Sequence, residues 1–278
     1  MKDDDCVRFL QWALPRLRMR WPGFRKVRRQ VCKRVQRRMG ALALADVAAY
    51  REYLEVHPEE WAALDGLTRI TISRFYRDRG VYWRLESEVL PSLAERARER
   101  GADTLRACSL GCGSGEEPYS LTIAWLLGAP ARCTGLSLEV VGVDADLRLL
   151  ERARRACYGY GSMKELPEAW RDEAFAHTSD GYCLRAPFRA PVRLVCQDVR
   201  SGIPDGPYDM VLCRNLAFTY FDDPLQRQIG EMILAALRPG GVLVVGSHER
   251  LPEGHGFTGL AGAPGLYARP AGAGRASP

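Results

Sequence analysis

The fold is decided at residues 104–121, which read TLRACSLGCGSGEEPYSL. A short apolar run leads into Gly111, Gly113 and Gly115, and Pro118 suits the first turn of a helix, which does not need its N–H. A strand, a glycine-rich turn and a helix N-terminus predict a nucleotide-binding corner, because glycine lets the backbone approach a ligand closely. The glycine triplet alone is also compatible with a tight structural turn.

Two glutamates follow the glycines and indicate the charge of the ligand. Glu116 and Glu117 beside the loop would repel a phosphate, whereas they would attract a cationic ligand. The stretch also lacks the lysine of a P-loop, and its glycines are one residue closer together than in G-x-G-x-x-G. These features favour S-adenosylmethionine (SAM), which carries a sulfonium and an ammonium, over ATP or NAD.

A second predicted strand, residues 138–143, ends at Asp144. An acidic residue at this position suits the two ribose hydroxyls of an adenosine. Either Asp144 or Asp146 could instead cap the following helix. Taken with the glycine loop, the strand end favours cofactor binding.

Composition narrows the class of protein. The chain has 278 residues, enough for one large domain or two, and its 46% hydrophobic and 27% charged residues are typical of a soluble globular protein. No apolar run approaches the roughly 20 residues that span a membrane, and the start lacks the layout of a signal peptide. Nine scattered cysteines predict reduced thiols in the cytoplasm, and four unclustered histidines argue against a metal site. A monomer is the default expectation.

Positive charge is concentrated near the N-terminus. The net charge is +6, residues 6–45 hold no acidic residue, and residues 16–38 hold eleven arginines and lysines. Val27, Val31, Val35 and Met39 recur every four residues and predict a helix with one apolar stripe. The basic residues could be a solvated face, but a dense single-sign cluster favours docking of an acidic partner. Few aromatic residues are interleaved, which disfavours nucleic acid.

The order of elements predicts an α/β fold: a Rossmann-like, doubly wound, mostly parallel sheet with a smaller all-helical N-terminal domain. Helical periodicity covers the first 90 residues, and strands alternate with helices afterwards. A turn-rich interruption at 158–191 predicts a small β excursion or a substrate lid. The predicted segments are a basic helical domain 1–66, a linker and connecting helix 67–103, a SAM-binding domain 104–270 and a disordered tail 271–278.

Several motifs together resemble the CheR-type protein-glutamate methyltransferases of chemotaxis. The resemblance covers most of the chain and includes the basic helical start. Its motifs are LTRITISRFYRD (67–78), GEEPYS (115–120), VGVDAD (141–146), LCRNLAFTYF (212–221), LRPGG (237–241) and GSHERLP (246–252).

The resemblance implies a class I methyltransferase fold with a SAM site and a catalytic pair. The cofactor-binding residues that it implies come from the linker, the glycine loop and the ends of three strands, and are Thr71, Ser73, Arg77, Glu117, Asp144, Asp198, Val199, Asn215 and Leu216. Gly111 and Gly113 of the glycine loop complete the predicted cofactor-binding set. Arg77 and Tyr220 are the arginine and tyrosine that the family places near the transferred methyl.

The chemistry of a carboxylate acceptor fits these residue types. A glutamate carboxylate, with a pKa of about 4.3, is ionised at neutral pH and needs no general base. Arg77 could grip the acceptor carboxylate and Tyr220 could orient it. Arg77 could instead form a linker salt bridge, and Tyr220 could be a core residue at the start of a helix.

The sequence thus predicts a cytoplasmic SAM-dependent methyltransferase acting on protein glutamates. Arg28, Arg29, Lys33 and Arg34 are the candidates for docking an acidic protein surface. Two alternatives stay open at this point. The chain could methylate a small carboxylic acid or another non-chemotactic substrate, or it could bind SAM or S-adenosylhomocysteine (SAH) as a regulatory module without catalysis.

Overall fold

The structure is a computed structural model that describes residues 2–128 and 133–271. The described residues divide into two compact units. The first comprises residues 2–72 and 219–226, and the second comprises 73–218 and 227–271. The predicted segment boundaries at 66, 103 and 270 stay a prediction. The predicted tail from 272 onward lies outside the described residues.

The first unit is helical because its apolar residues recur at helical spacing. The helix α3 buries Val31, Val35 and Met39, as the four-residue stripe predicts, and Asp46 caps α4 by accepting a hydrogen bond from the Ala49 N–H. The helices are α1 Asp3–Ala13, α2 Trp21–Phe24, α3 Arg28–Ala41, α4 Val47–Val56 and α5 Glu60–Thr68, with a 3₁₀ turn at Leu14–Leu17.

An ion pair with a buried carboxylate ties α3 to α5 in this unit. Glu60 is 4% exposed and accepts hydrogen bonds from Arg38 Nη2 at 2.6 Å and from the Tyr50 hydroxyl at 2.8 Å. The Arg38 hydrogen bond, and then that of Tyr50, lower the pKa of Glu60 against the effect of burial. The carboxylate is therefore ionised and satisfied inside the helical core.

The second unit contains a seven-stranded sheet of order β6-β2-β1-β7-β8-β10-β9. All neighbours from β6 to β8 are parallel, and β10 is antiparallel to both β8 and β9. The strands are β1 Thr104–Leu110, β2 Ser137–Asp144, β6 Val192–Cys196, β7 Tyr208–Leu212, β8 Leu237–Val244, β9 Thr258–Gly259 and β10 Leu266–Ala268. The predicted doubly wound, mostly parallel sheet is confirmed.

Sheet order explains where a ligand can bind. From β1 the chain moves outward to β2 and β6, then returns to place β7 on the other side of β1. In an open parallel sheet this reversal opens a crevice at the carboxyl ends of the strands. The glycine loop follows β1 directly, so it lies at the switch point.

Helices of the second unit pack on the sheet through alternate strand residues. Leu105 and Ala107 of β1, Val140 of β2 and Leu212 of β7 belong to one apolar cluster. The helices are α6 Arg79–Arg84, α7 Leu90–Glu99, α8 Glu116–Ile123, α9 Leu147–Arg155, α10 Glu168–Ala174 and α11 Ala186–Arg189. Two more helices, α12 Ala217–Tyr220 and α13 Asp223–Ala236, have residues in both units. Shorter turns are the π-helical segments Leu85–Val89 and Ala124–Gly128 and the 3₁₀ turn Tyr160–Ser162.

The predicted excursion is a small antiparallel sheet of order β3-β5-β4. Its strands are β3 Cys157–Tyr158, β4 Phe175–Thr178 and β5 Gly181–Leu184. Cys157 lies opposite Cys183 across β3 and β5, and the two form a disulfide.

The expectation that all nine thiols are reduced is wrong in this structure. A second disulfide joins Cys6 of α1 to Cys32 of α3, whose Cα atoms are 5.9 Å apart, within the range that a disulfide requires. Each pair is 26 residues apart in sequence, so only the fold brings the partners together.

Within residues 2–128 and 133–271, no helix combines the length and the apolar character that crossing a bilayer requires.

Candidate cofactor site

The glycine loop adopts the backbone that its glycines predict. Gly111, Gly113 and Gly115 have φ of +73°, +57° and +91°, a region that other residues rarely occupy. The N–H groups of Gly111 and Cys112 donate to the Val143 carbonyl at the end of β2, at 2.8 and 2.9 Å. The loop is therefore anchored across the ends of β1 and β2.

Two of these glycines have different surroundings. A Cβ atom at Gly111 would lie 2.6 Å from the Leu216 side chain, whereas a Cβ at Gly113 would have no described atom within 4 Å apart from those of its chain neighbours. Gly111 therefore permits close packing, and Gly113 borders open space. This open cradle fits a ligand that approaches the loop backbone.

Asp144 holds the loop, and its neighbour Asp146 caps the helix. Asp144 Oδ2 accepts a hydrogen bond from the Gly113 N–H at 2.8 Å, and Asp146 accepts one from the Arg148 N–H at 2.9 Å. Of the two roles that the sequence left open, α9 capping therefore falls to Asp146. Asp144 places its carboxylate beside the cradle, where a ribose would need acceptors.

The adjacent glutamates of the loop have separate roles. Glu116 is 2% exposed, and both its oxygens accept from the Ser114 hydroxyl, so this side chain stabilises the loop itself. Glu117 accepts from the Ser109 hydroxyl at 2.9 Å and from Arg214 Nη1 at 3.2 Å. Burial raises the pKa of Glu117, while Arg214 and Ser109 oppose that rise.

Arg214 is the central cation of the site. Its side chain is 3% exposed, and besides Glu117 it reaches Asp78 Oδ2 at 2.8 Å and the Arg77 carbonyl at 2.7 Å. Its guanidinium carbon lies 5.6 Å from the centre of the Tyr82 ring. Arg214 lies in the segment LCRNLAFTYF, and no role was predicted for it from the sequence.

The linker has unusual backbone on both sides of Arg77. Tyr76 and Asp78 have φ of +56° and +65°, and Arg77 between them is half-buried. The Tyr76 N–H donates to Ser120 Oγ of α8 at 3.0 Å. The linker is thus fixed to the helix that carries Glu117.

The segment after β7 carries Asn215 and brings Leu216 to Gly111 of the glycine loop. Asn215 has φ of +54°, and its N–H donates to Glu249 Oε2 at 2.7 Å. The same oxygen accepts from the Gly246 N–H at 2.7 Å. Glu249, within the quoted GSHERLP motif, therefore fixes Asn215, a role that the sequence analysis missed.

Asp198 follows β6 and carries its own counter-ion. It pairs with Arg200 at 2.6 Å, while Val199 between them is buried. Ser73 is half-buried in the same unit. The cofactor roles of Ser73, Asp198 and Val199 stay predictions.

The remaining predicted residues, Thr71 and Tyr220, fall in the first unit. Tyr220 packs there against Phe24, with ring centres 5.0 Å apart, and its carbonyl accepts from the Arg20 N–H at 2.8 Å. The predicted catalytic pair is therefore divided between the units, Arg77 in the second and Tyr220 in the first. Its catalytic role stays a prediction.

The basic helix divides into bound and exposed cations. Arg28 pairs with Asp3 at 2.8 Å, and Arg34 donates to the carbonyls of Leu67 and Arg69. Arg29 and Lys33 are exposed. Two of the four predicted docking residues therefore hold the helical unit together.

The residues present fit a cofactor with an ammonium and a ribose. Glu117 supplies a carboxylate at the start of α8, Asp144 supplies one at the end of β2, and Gly113 leaves room between them. In the described parts of the chain, no group of three or more His, Cys, Asp or Glu side chains is arranged to hold a metal ion.

Comparisons with known proteins point to one family. The family model described as CheR methyltransferase, SAM binding domain, matches residues 71–262. A Pseudomonas aeruginosa protein, described as probable biofilm formation methyltransferase WspC, is 36% identical over 77% of this chain and 50% of its own length. A chemotaxis protein methyltransferase of Listeria monocytogenes is 32% identical over 70% of this chain and 71% of its own.

Solved structures add little to these matches. A glycopeptide N-methyltransferase, MtfA, in complex with SAM is 19% identical over 63% of this chain and 56% of its own, with a TM-score of 0.33. A likeness at this level carries no argument. The fold assignment rests on the strand order and the family match. The chain spans half the length of the Pseudomonas relative.

Proposed function

We propose that this chain, which belongs to the CheR methyltransferase family, methylates glutamate side chains of a protein substrate. The family match confirms the prediction of a SAM-dependent methyltransferase, and the acceptor is the proposal. The observation that carries it is the match over residues 71–262, which spans Arg77, Glu117 and Arg214.

The chain's own residues divide the work of binding. Glu117 would hold the cofactor's ammonium and Asp144 its ribose hydroxyls, as their positions at the loop support. SAM supplies the methyl group, which passes from its sulfonium sulfur to a carboxylate oxygen and leaves SAH. Because the carboxylate is already ionised, no proton must be moved.

Arg77 is the cation proposed to receive the acceptor carboxylate. Arginine presents a planar fork of donors that matches a carboxylate, and a held arginine restricts the approach of the attacking oxygen. The unusual backbone at Tyr76 and Asp78 supports this role, since such conformations persist only where surrounding contacts fix them. Tyr220 is proposed to orient the acceptor.

An acidic protein surface is the proposed docking partner. Arg25, Arg29, Lys33 and Arg37 recur every four residues and are all exposed, so they form a positive stripe along α3 and the turn before it. Arg28 and Arg34 are engaged within the unit and are removed from the proposed stripe. Single-sign stripes of this kind attract acidic partners and lose strength in salt.

Charge reversal tests this stripe. The double variant Arg29→Glu and Lys33→Glu is expected to raise KM for an acidic protein substrate about tenfold at low salt and to leave SAH affinity unchanged. The matched control reverses two exposed arginines of α9, Arg154 and Arg155. Equal KM values in the two double variants would count against docking through α3.

The acceptor is tested with methyl-labelled SAM. The protein is incubated with an acidic helical protein or with small carboxylic acids, and the products are treated with mild base. A carboxyl methyl ester releases volatile labelled methanol, whereas an N-methyl product does not. Label on the small acid alone would favour that alternative, and the absence of transfer despite SAM binding would favour a regulatory module.

A cytoplasmic location is part of the proposal and has its own test. Structural disulfides are rare in reducing compartments, yet Cys6–Cys32 and Cys157–Cys183 are paired in this structure. The test is thiol labelling of the protein after the cells are quenched and the protein is unfolded without a reductant. If the compartment is reducing, these four cysteines are expected to be free thiols and to take up the label. Protection of all four would argue for an oxidising location.

A further inference from the structure

We propose that Arg214 is a positioning residue for methyl transfer, which locks the linker carrying Arg77 onto the helix that carries Glu117. The proposal rests on the proposed function, because it assigns Arg77 to the acceptor and Glu117 to the cofactor. Neither the family description nor the matches assign a role to Arg214. The three segments meet only in the fold.

The contacts of Arg214 span two separate elements. Nη1 faces Glu117 Oε2 at 3.2 Å, in the first turn of α8, whereas Nη2 faces Asp78 Oδ2 at 2.8 Å, before α6. Nη2 also donates to the Arg77 carbonyl at 2.7 Å. One guanidinium therefore bonds to the predicted cofactor ligand and to the backbone of the predicted acceptor ligand.

The shape of the guanidinium matters as much as its charge. Its side chain is 3% exposed, and the partner carboxylates of Asp78 and Glu117 are 33% and 13% exposed. A planar fork can serve partners on both sides at once, whereas a lysine ammonium is a point charge on a flexible stem. A lysine at this position would keep the positive charge but could not hold both elements.

The backbone of the linker needs this hold. Tyr76 and Asp78 both have positive φ, a region unfavourable for residues with a Cβ atom. Ser120 fixes Tyr76 through its N–H, and Arg214 fixes Asp78 through its carboxylate. Loss of the Arg214 contacts would let Asp78 relax toward ordinary backbone and would displace the adjacent Arg77.

The structure separates this role from simple cofactor binding. Glu117 has a second partner in the Ser109 hydroxyl at 2.9 Å, so its carboxylate keeps one anchor when Arg214 changes. Asp78 forms its side-chain ion pair with Arg214. A charge-conserving change at Arg214 should therefore disturb the linker more than the cofactor ligand.

The experiment compares Arg214→Lys, Asp78→Asn and their double variant with the wild type. Hydrogen exchange at residues 73–79 is expected to quicken about tenfold or more in each variant. SAH affinity, measured by calorimetry, should change less than about fivefold, and kcat should fall about 100-fold because Arg77 is misplaced. The double variant should be no worse than Arg214→Lys alone, because the Arg214–Asp78 contact that Asp78→Asn removes is already lost in Arg214→Lys.

Arg100→Lys is the matched control. Arg100 pairs with the buried Asp209 at 2.7 Å in the same unit, and this ion pair lies outside the set of residues assigned to the cofactor, the acceptor and Arg214. This variant should leave exchange at 73–79 and kcat unchanged. A thermal melt checks that each variant is folded.

The readouts keep two failures apart. If Arg214→Lys exchanges like the wild type at 73–79, or if SAH affinity and kcat fall by the same factor, the positioning role is wrong. Exchange and SAH affinity need no acceptor, so they report on Arg214 even if the protein methylates no glutamate. Failure of the proposed function would appear instead as the absence of base-labile methyl ester in the wild type.

Discussion

Replacement of Glu117 by glutamine tests the most specific claim about the cofactor. The carboxylate accepts from Ser109 and Arg214 and is only 13% exposed, so one oxygen faces a hydroxyl and the other faces a cation. A hydrogen bond to a charged group contributes about 1.5–3 kcal/mol, and 1.4 kcal/mol is about tenfold in affinity. Loss of the contact with the ammonium should therefore weaken SAH binding about 10- to 100-fold.

The neighbouring glutamate provides the control. Glu116→Gln removes the same charge one residue away, but the Glu116 carboxylate accepts from the Ser114 hydroxyl within the loop and has no contact with Arg214 among the described hydrogen bonds. Its SAH affinity, measured by calorimetry, should stay within about threefold of wild type. Glu117→Gln should also lower the free energy of unfolding, because the buried Arg214 loses one of its two carboxylate partners. The loss should be only about 2 kcal/mol, since Arg214 keeps Asp78 as the other partner. Equal loss of affinity in the two variants would refute the assignment.

Three further predictions concern pH and backbone. Burial raises the pKa of Glu117, so this carboxylate should be protonated, and SAH affinity should fall, at a higher pH than for an ordinary glutamate. Calorimetry across pH should find no such fall in Glu117→Gln. Arg38 lowers the pKa of Glu60 in the folded protein below its unfolded pKa of 4.5. The ionised carboxylate therefore stabilises the fold fully above pH 4.5, and this stabilisation is lost as the pH falls through the folded pKa. Glu60→Gln should cost about 2 kcal/mol in urea unfolding at pH 7 and less at pH 4; equal cost at both values would contradict the ion pair. Gly111→Ala should destabilise the protein more than Gly113→Ala, because both glycines have positive φ but only the Cβ at Gly111 meets Leu216, at 2.6 Å. Gly113→Ala should weaken SAH binding more than it weakens the fold. Thermal melts and calorimetry would show the reverse order if the cradle is misplaced.

The sheet could be predicted because its signals are local. The apolar run before Gly111 forms β1, the strand predicted at 138–143 lies within β2, and the glycine loop has the positive φ values that its residues predict. The helical start of the chain followed from the spacing of Val31, Val35 and Met39. Each of these features depends on residues that are close together in the sequence.

The site's internal contacts could not be predicted in the same way. Arg214 meets Asp78 and Glu117, which lie 136 and 97 residues away, and no local pattern encodes that meeting. The cysteine pairs were missed for the same reason. The available signal for Arg214 was an arginine directly after an apolar strand. An arginine at such a position is often buried, and a buried charge needs partners.

The choice between Asp144 and Asp146 required the loop geometry. Both residues suit a helix N-cap by type, and only the position of the Gly113 N–H separates them. Similarly, Arg28 and Arg34 resemble their exposed neighbours in sequence. Their partners come from α1 and from the chain around Leu67, which the helical spacing of α3 does not specify.

Mapping the methylated atom tests the central claim most directly. An acidic helical protein is incubated with SAM and the wild-type chain, then digested and analysed by mass spectrometry before and after mild base. The account predicts that glutamate-containing peptides gain the mass of one methylene, that base removes it, and that glutamine replacements at those glutamates abolish it. A base-stable methyl group on nitrogen would contradict the account, as would the absence of any methylated carboxylate despite bound SAM.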